Sequence, residues 1–188
     1  YMFQLKRNNN TLDVKKLKIN LKTIEKAIGK LIKYICIHLE EQISAGADVI
    51  QIFDSWAGLI PKNKLKTFCY EPHQEIVNHF KKKNIPTICF PKGIGENYKE
   101  FNNVVRPSGI NIDYDVNPTW AVKNLENTCI QGGMNPKFLL GDEKNLLDEV
   151  EKFLKIFDQK PYIFNLGHGI LPETDPNVLG KVIKKVIS

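Results

Sequence analysis

The chain holds 188 residues, 42% of them hydrophobic and 26% charged: enough for one well-buried domain, too few for two comfortable ones. That balance excludes a disordered tail or a fibre, and no run approaches the roughly 20 apolar residues of a membrane helix. The net charge of +6 raises nucleic acid as a partner, but the excess is lysine dispersed over polar helix faces, with Arg7 and Arg106 the only arginines, and nucleic acid is discounted.

Residues 1–10 lack the charged start, apolar middle and small-residue end of a signal peptide. They open on Tyr1 rather than Met, so further sequence upstream is expected. From Asn20 to Ser44, Leu21, Ile24, Ala27, Ile28, Leu31, Ile32, Ile35, Leu39 and Ile43 recur at spacings of three and four. This is an amphipathic helix, with Gly46 placed to end it. Val49-Ile50-Gln51-Ile52-Phe53 is too short for a helix and rich in strand formers, and it breaks into the polar loop Asp54 to Gly58.

The pattern then repeats. A helical stretch around Lys62–Lys83 precedes a strand at Thr87–Phe90 and the loop Pro91–Gly95. A shorter helix precedes a strand at Gly109–Ile112 and the loop Asp113–Asn117. Another leads to a strand at Thr128–Gln131 and the turn Gly132-Gly133-Met134-Asn135-Pro136. A helix from about Glu143 to Phe157 leads to a strand at Tyr162–Asn165 and the loop Gly167-His168-Gly169. Asp175-Pro176 is an N-cap and N1 pair that opens the last helix.

Five strand–loop–helix units imply α/β architecture with a parallel sheet and helices outside it. An open doubly wound sheet competes with a (β/α)8 barrel of the TIM type, cut to about five βα units. Polar, glycine-rich segments follow every strand, as in a barrel whose loops all line one mouth. In an open sheet the loops part at a switch point and only some carry the site. A complete barrel needs about 250 residues, so the barrel requires upstream sequence.

Several loops offer chemistry. Ser55 can donate its hydroxyl to a carboxylate, although Asp54 or Ser55 could equally cap the next helix. His168, between two glycines at a strand end, is open to a ligand unless the glycines serve only the turn. His38, His73 and His79 lie in helices and read as surface residues. Lys92-Gly93-Ile94-Gly95 matches neither nucleotide-loop pattern. Asp113 and Asp115 could bind a metal or take a proton, or form an Asx turn or helix cap. Cys36, Cys69, Cys89 and Cys129 form no C-x-x-C pair and have no close Cys/His spacing, so a disulfide framework and a zinc site are not expected. Apolar surroundings and a reducing cytoplasm fit them better.

In order along the chain, these loops resemble the uroporphyrinogen decarboxylase family. The resemblance is carried by Ala45 to Gly58, with its Phe53-Asp54-Ser55-Trp56-Ala57-Gly58, by Phe90-Pro91-Lys92-Gly93, by Gly109 to Asp113, by Gln131-Gly132, and by Phe164 to Gly169 with Pro172, Asp175 and Pro176. It implies that residues 1–188 are the C-terminal portion of a single distorted (β/α)8 barrel domain. It further implies cofactor-free removal of carbon dioxide from the four acetate side chains of uroporphyrinogen III, giving coproporphyrinogen III. The family's pyrrole-stabilising Asp and carboxylate-holding arginines would then lie upstream, leaving this stretch inactive alone and the whole protein homodimeric. Carried over by motif, Ser55 and His168 are substrate-binding residues, and Tyr1 matches the family's site tyrosine. One departure is that Gln131-Gly132-Gly133-Met134-Asn135-Pro136 stands where the family reads Gln-Gly-Asn-Leu-Asp-Pro. Two rivals remain. Corrinoid-linked methyltransferases of the same barrel superfamily bind zinc at the mouth, but Thr87-Ile88-Cys89 has no histidine at the matching place. The other rival is a non-catalytic barrel segment that associates with other chains.

Overall fold

A computed structural model describes residues 21–188. Helix α1 (Leu21–Ser44) comes first and ends where Gly46 takes φ +108°, its N–H bonded to the Ile43 carbonyl 2.9 Å away. Five strands follow: β1 (Ile50–Asp54), β2 (Thr87–Pro91), β3 (Gly109–Ile112), β4 (Cys129–Gly132) and β5 (Tyr162–Ile163). Helices α2 (Glu71–Lys81), α3 (Tyr98–Val105), α4 (Pro118–Asn124), α5 (Glu143–Phe157) and α6 (Pro176–Ile187) connect and follow them.

All four strand pairs are parallel and the spatial order is β1-β2-β3-β4-β5. Each strand neighbours the next in sequence, with no reversal of order. A doubly wound sheet needs such a reversal. Uninterrupted order is what a barrel wall has, and these five strands are a partial (β/α)8 barrel.

Alternation along the strands separates two faces. Ile50 and Ile52 join α1 and α2 through Ile32, Cys36, Leu39, Ile76 and Phe80. Cys89, Ile110, Ile112 and Ile130 join the larger core, with Phe101, Leu125, Val150 and Phe153 from the helices. The opposite face carries amides. Gln131 Nε2 donates to Asn111 Oδ1 at 2.7 Å and to Gln51 Oε1 at 3.1 Å, and Asn111 Nδ2 donates to the Ile112 carbonyl at 3.1 Å. Asn111 and Gln131 are buried, and mutual bonding is what makes their burial tolerable.

Two expected elements differ. The stretch 62–83 is not one helix but a 3₁₀ turn (Lys62–Lys64), a π-helical turn (Lys66–Tyr70) and then α2. Pro72 has no N–H to give the Phe68 carbonyl, so a regular α-helix cannot run through it unbroken. Strand β5 pairs over only Tyr162–Ile163, against the expected Tyr162–Asn165, because the Asn165 side chain takes the Leu166 N–H at 2.8 Å and bends the chain. A single bridge, Met134 to Leu166, continues the pairing beyond the bend.

Candidate functional site at the carboxyl ends of the strands

The loops that follow the five strands are fastened to one another through their glycines. Gly58 donates its N–H to the Lys92 carbonyl at 2.9 Å, and a Cβ on Gly58 would stand 2.7 Å from the Gly93 carbonyl oxygen. Gly93 in turn donates to Asp113 Oδ2 at 2.8 Å. Gly167 donates to the Met134 carbonyl at 2.8 Å, and a Cβ there would lie 2.3 Å from the Tyr114 nitrogen. No side chain fits at either position. The first loop is thereby held to the second, the second to the third, and the fifth to both the third and fourth.

Upon this frame the polar side chains are placed. Ser55 follows β1 directly, in an exposed turn before the 3₁₀ turn Ala57–Leu59. Neither Asp54 nor Ser55 caps that turn; Trp56 is its N-cap and makes no side-chain bond, which leaves the Ser55 hydroxyl free of that duty. Trp56 is 72% exposed beside it. Below the turn, Phe53 meets Phe90 edge-on with ring centres 6.1 Å apart.

His168 lies in the loop after β5 and is exposed, its Nδ1 3.3 Å from the Gly169 carbonyl oxygen. Its ring centre is 6.4 Å from that of Tyr114, which the third loop presents at 38% exposure. Tyr114 was not anticipated from sequence, because only the contact of Gly167 with the Tyr114 backbone brings the two loops together. Ser55 and His168 therefore share the carboxyl-end face of the sheet but stand over its two edge strands. Tyr1 lies outside the described residues.

The two aspartates part company. Asp113 is buried, accepting hydrogen bonds from the Gly93 N–H and the Tyr98 hydroxyl at 3.1 Å. It holds loops rather than capping a helix. Burial, with the Asp113 carboxylate next to it, pushes the Tyr98 phenol well above its ordinary range, so Tyr98 remains a donor. Asp115 is exposed, and Asn117 caps α4 in its place, accepting from Thr119 and Trp120. In the fourth loop Gly132 and Gly133 take φ +80° and +94°, and a Cβ on Gly132 would stand 2.9 Å from the Asn111 side chain. Gly133 has Ile112 and Phe153 at 3.0–3.2 Å around an added Cβ, so an apolar wall closes on this position.

One expectation is corrected outright. His73 is not a surface residue: it is 5% exposed. It begins the buried stripe of α2, followed by Ile76, Val77 and Phe80 at spacings of three, four and seven, so the periodicity did carry the signal. His38 is exposed, and His79 bonds Glu40 at 2.7 Å on the half-exposed face between α1 and α2. Cys36, Cys69 and Cys89 are buried, and desolvation raises all three thiols, so none is a ready thiolate.

Consecutive parallel strands with their helices on one face, and loops carrying a hydroxyl and an imidazole at the carboxyl ends, define a barrel-type α/β protein whose candidate site is its mouth. Comparison with known proteins gives the particular kind. The family model described as "Uroporphyrinogen decarboxylase (URO-D)" matches residues 1–188, and the chain belongs to that family. Relatives named uroporphyrinogen decarboxylase include that of Orientia tsutsugamushi (strain Ikeda), 37% identical over 184 residues, covering 95% of this chain and 54% of the relative. That of Rickettsia bellii (strain RML369-C) is 41% identical over 150 residues, or 78% and 44% of the two chains. That of Cereibacter sphaeroides (strain ATCC 17029 / ATH 2.4.9) is 33% identical over 153 residues, or 79% and 45%. The chain spans about half the length of the curated relatives it matches.

Proposed function

We propose that this chain supplies the carboxyl-end mouth of a uroporphyrinogen decarboxylase, which removes the four acetate carboxyl groups of uroporphyrinogen III to give coproporphyrinogen III. Ser55 and His168 bind substrate carboxylates in this reading, Ser55 through its hydroxyl and His168 through its ring N–H. Tyr1 is proposed as a third substrate-binding residue. The observation that carries the proposal is the joint exposure of Ser55 and His168 on the loop face of one unreversed parallel sheet. A substrate bearing eight carboxylates needs many charge-assisted hydrogen bonds around one opening, and separated donors on a locked ring of loops suit a large macrocycle with carboxylates around its rim.

The protein is proposed to act in the cytoplasm as a homodimer and without a cofactor. Among the described residues no helix is long and apolar enough to cross a membrane. The test uses the whole protein that contains this chain. Ser55→Ala and His168→Gln are each expected to lower kcat/KM for uroporphyrinogen III by roughly 10- to 100-fold, the worth of one hydrogen bond to a charged group. Unchanged kinetics in both variants would remove these residues from the site.

A further inference from the structure

One cluster of metal-ligating side chains lies apart from the mouth's exposed donors. Asp54, Cys69 and His73 come from the end of β1, the π-helical turn and the first turn of α2, and their ligand atoms all lie within 4.8 Å of one another. Cys69 and His73 are four residues apart on one side of a continuous helical segment, a spacing that stacks their side chains. Asp54 reaches the same place because β1 carries it on the face that Ile50 and Ile52 turn toward the helices. Cys69 is 0% and His73 5% exposed, and Asp54, partly exposed, forms the solvent side of the cluster.

The histidine is held in a particular state. Its Nδ1 is 2.8 Å from the Cys69 carbonyl oxygen and 3.9 Å from Cys69 Sγ. A carbonyl can only accept, so Nδ1 carries the proton and donates it there. Nε2 is then a bare lone pair, buried, and without a hydrogen-bond partner. A ring anchored through one N–H on a backbone carbonyl is the usual outer support of a metal-binding histidine. An unmet buried acceptor is costly where no ligand supplies the missing partner.

One thiol, one imidazole and one carboxylate form a donor set suited to zinc, while hard cations prefer oxygens alone. Zinc bonds of about 2.0–2.3 Å place neighbouring ligand atoms roughly 3.5 Å apart, so ligand atoms that now lie within 4.8 Å of one another draw together on binding, with the bare Nε2 presented to the ion. We propose that Asp54, Cys69 and His73 bind a zinc-type divalent cation that fastens the end of β1 to α2. On binding, the Cys69 thiol gives its proton to solvent and its sulfur forms the bond to the cation, with no change of oxidation state. Asp54 directly precedes Ser55, so the cation would also fix the base of the loop that presents this serine. The site corrects the expectation of no close Cys/His spacing and no zinc: Cys69 and His73 stand four residues apart in the sequence, and the fold adds Asp54 from β1. It also differs in its residues from the zinc centre of the methyltransferase rival and stands independently of the substrate.

Cobalt(II) titration of the whole protein that contains this chain, freed of metal by chelation, tests this. One equivalent should bind with a thiolate-to-cobalt charge-transfer band in the near ultraviolet, and zinc should displace it. Cys69→Ser should lose the band, and Cys129→Ser should keep it. A folded chain that shows no band, or a band undiminished in folded Cys69→Ser, overturns the proposal. Should Cys69→Ser fail to fold, zinc X-ray absorption on the unmutated chain decides. A shell containing sulfur and imidazole nitrogen supports the site; a shell without sulfur, or no bound zinc, refutes it.

Discussion

At the scale of single residues, the same motif carries two different jobs in adjacent positions. In Phe53-Asp54-Ser55-Trp56, the strand's alternation sends Asp54 toward the helices, while the turn exposes Ser55 and Trp56. Sequence offered Ser55 and His168 as candidates because both follow apolar strands at points where the chain turns polar. It did not distinguish Asp113 from Asp115, two residues apart, since only the fold brings Gly93 and Tyr98 to the first of them. Asp113→Ala removes the single oxygen, Oδ2, that accepts from both the Gly93 N–H and the Tyr98 hydroxyl, and leaves the buried phenol without its acceptor. It should destabilise the whole protein by about 1–3 kcal/mol, measured by urea unfolding. A change within about 0.5 kcal/mol would mean that Asp113 does not tie the loops.

Between elements, the loops are kept in place by close backbone packing, and the glycines are its visible trace. Sequence presented these glycines as openings for a ligand. Gly167 instead closes against the Tyr114 backbone, while its neighbour Gly169 has open space. Gly167→Ala should therefore cost about 1–3 kcal/mol or more, because backbone cannot yield as a flexible side chain does, whereas Gly169→Ala should cost little. Thermal unfolding of the two variants side by side measures the difference, and equal values would contradict it. Helices α5 and α6 offer an electrostatic case. Lys155, then Lys185, bond the exposed Glu151 carboxyl and hold it down to about 2 from 4.5. A depressed folded value means that this contribution is present above the ordinary carboxyl range and fades as pH falls through it toward about 2. NMR titration should show Glu151 returning toward 4.5 in Lys155→Ala, and both salt and solvent exposure keep its share of stability small.

For the molecule as a whole, element order was legible throughout, since each βα unit announces itself by a short apolar run and a period of three to four. The amide network of Gln51, Asn111 and Gln131 was not. Each of these residues stands singly within an apolar strand; register pairs Asn111 with Gln131, and Gln51, three strands away in the sheet order, reaches Gln131 only through the fold of the sheet. The buried His73 was legible in the stripe it shares with Ile76, Val77 and Phe80, whereas its residue type alone points as readily to the surface. Strands β1 and β5 are the edges of the described sheet, with Phe53 65%, Val49 46% and Ile163 43% exposed near them. Open edges with apolar neighbours invite association. Residues 1–188 alone should therefore aggregate and show no turnover. Size-exclusion chromatography with light scattering checks the first point, and a monodisperse, active 188-residue chain would contradict both.

The central claim concerns what the mouth does, and the most direct measurement is product analysis with the whole protein and uroporphyrinogen III. Conversion to coproporphyrinogen III with release of carbon dioxide, weakened by Ser55→Ala and His168→Gln, is the predicted result. A folded protein that leaves uroporphyrinogen unchanged, or instead transfers a methyl group to a thiol, would contradict it.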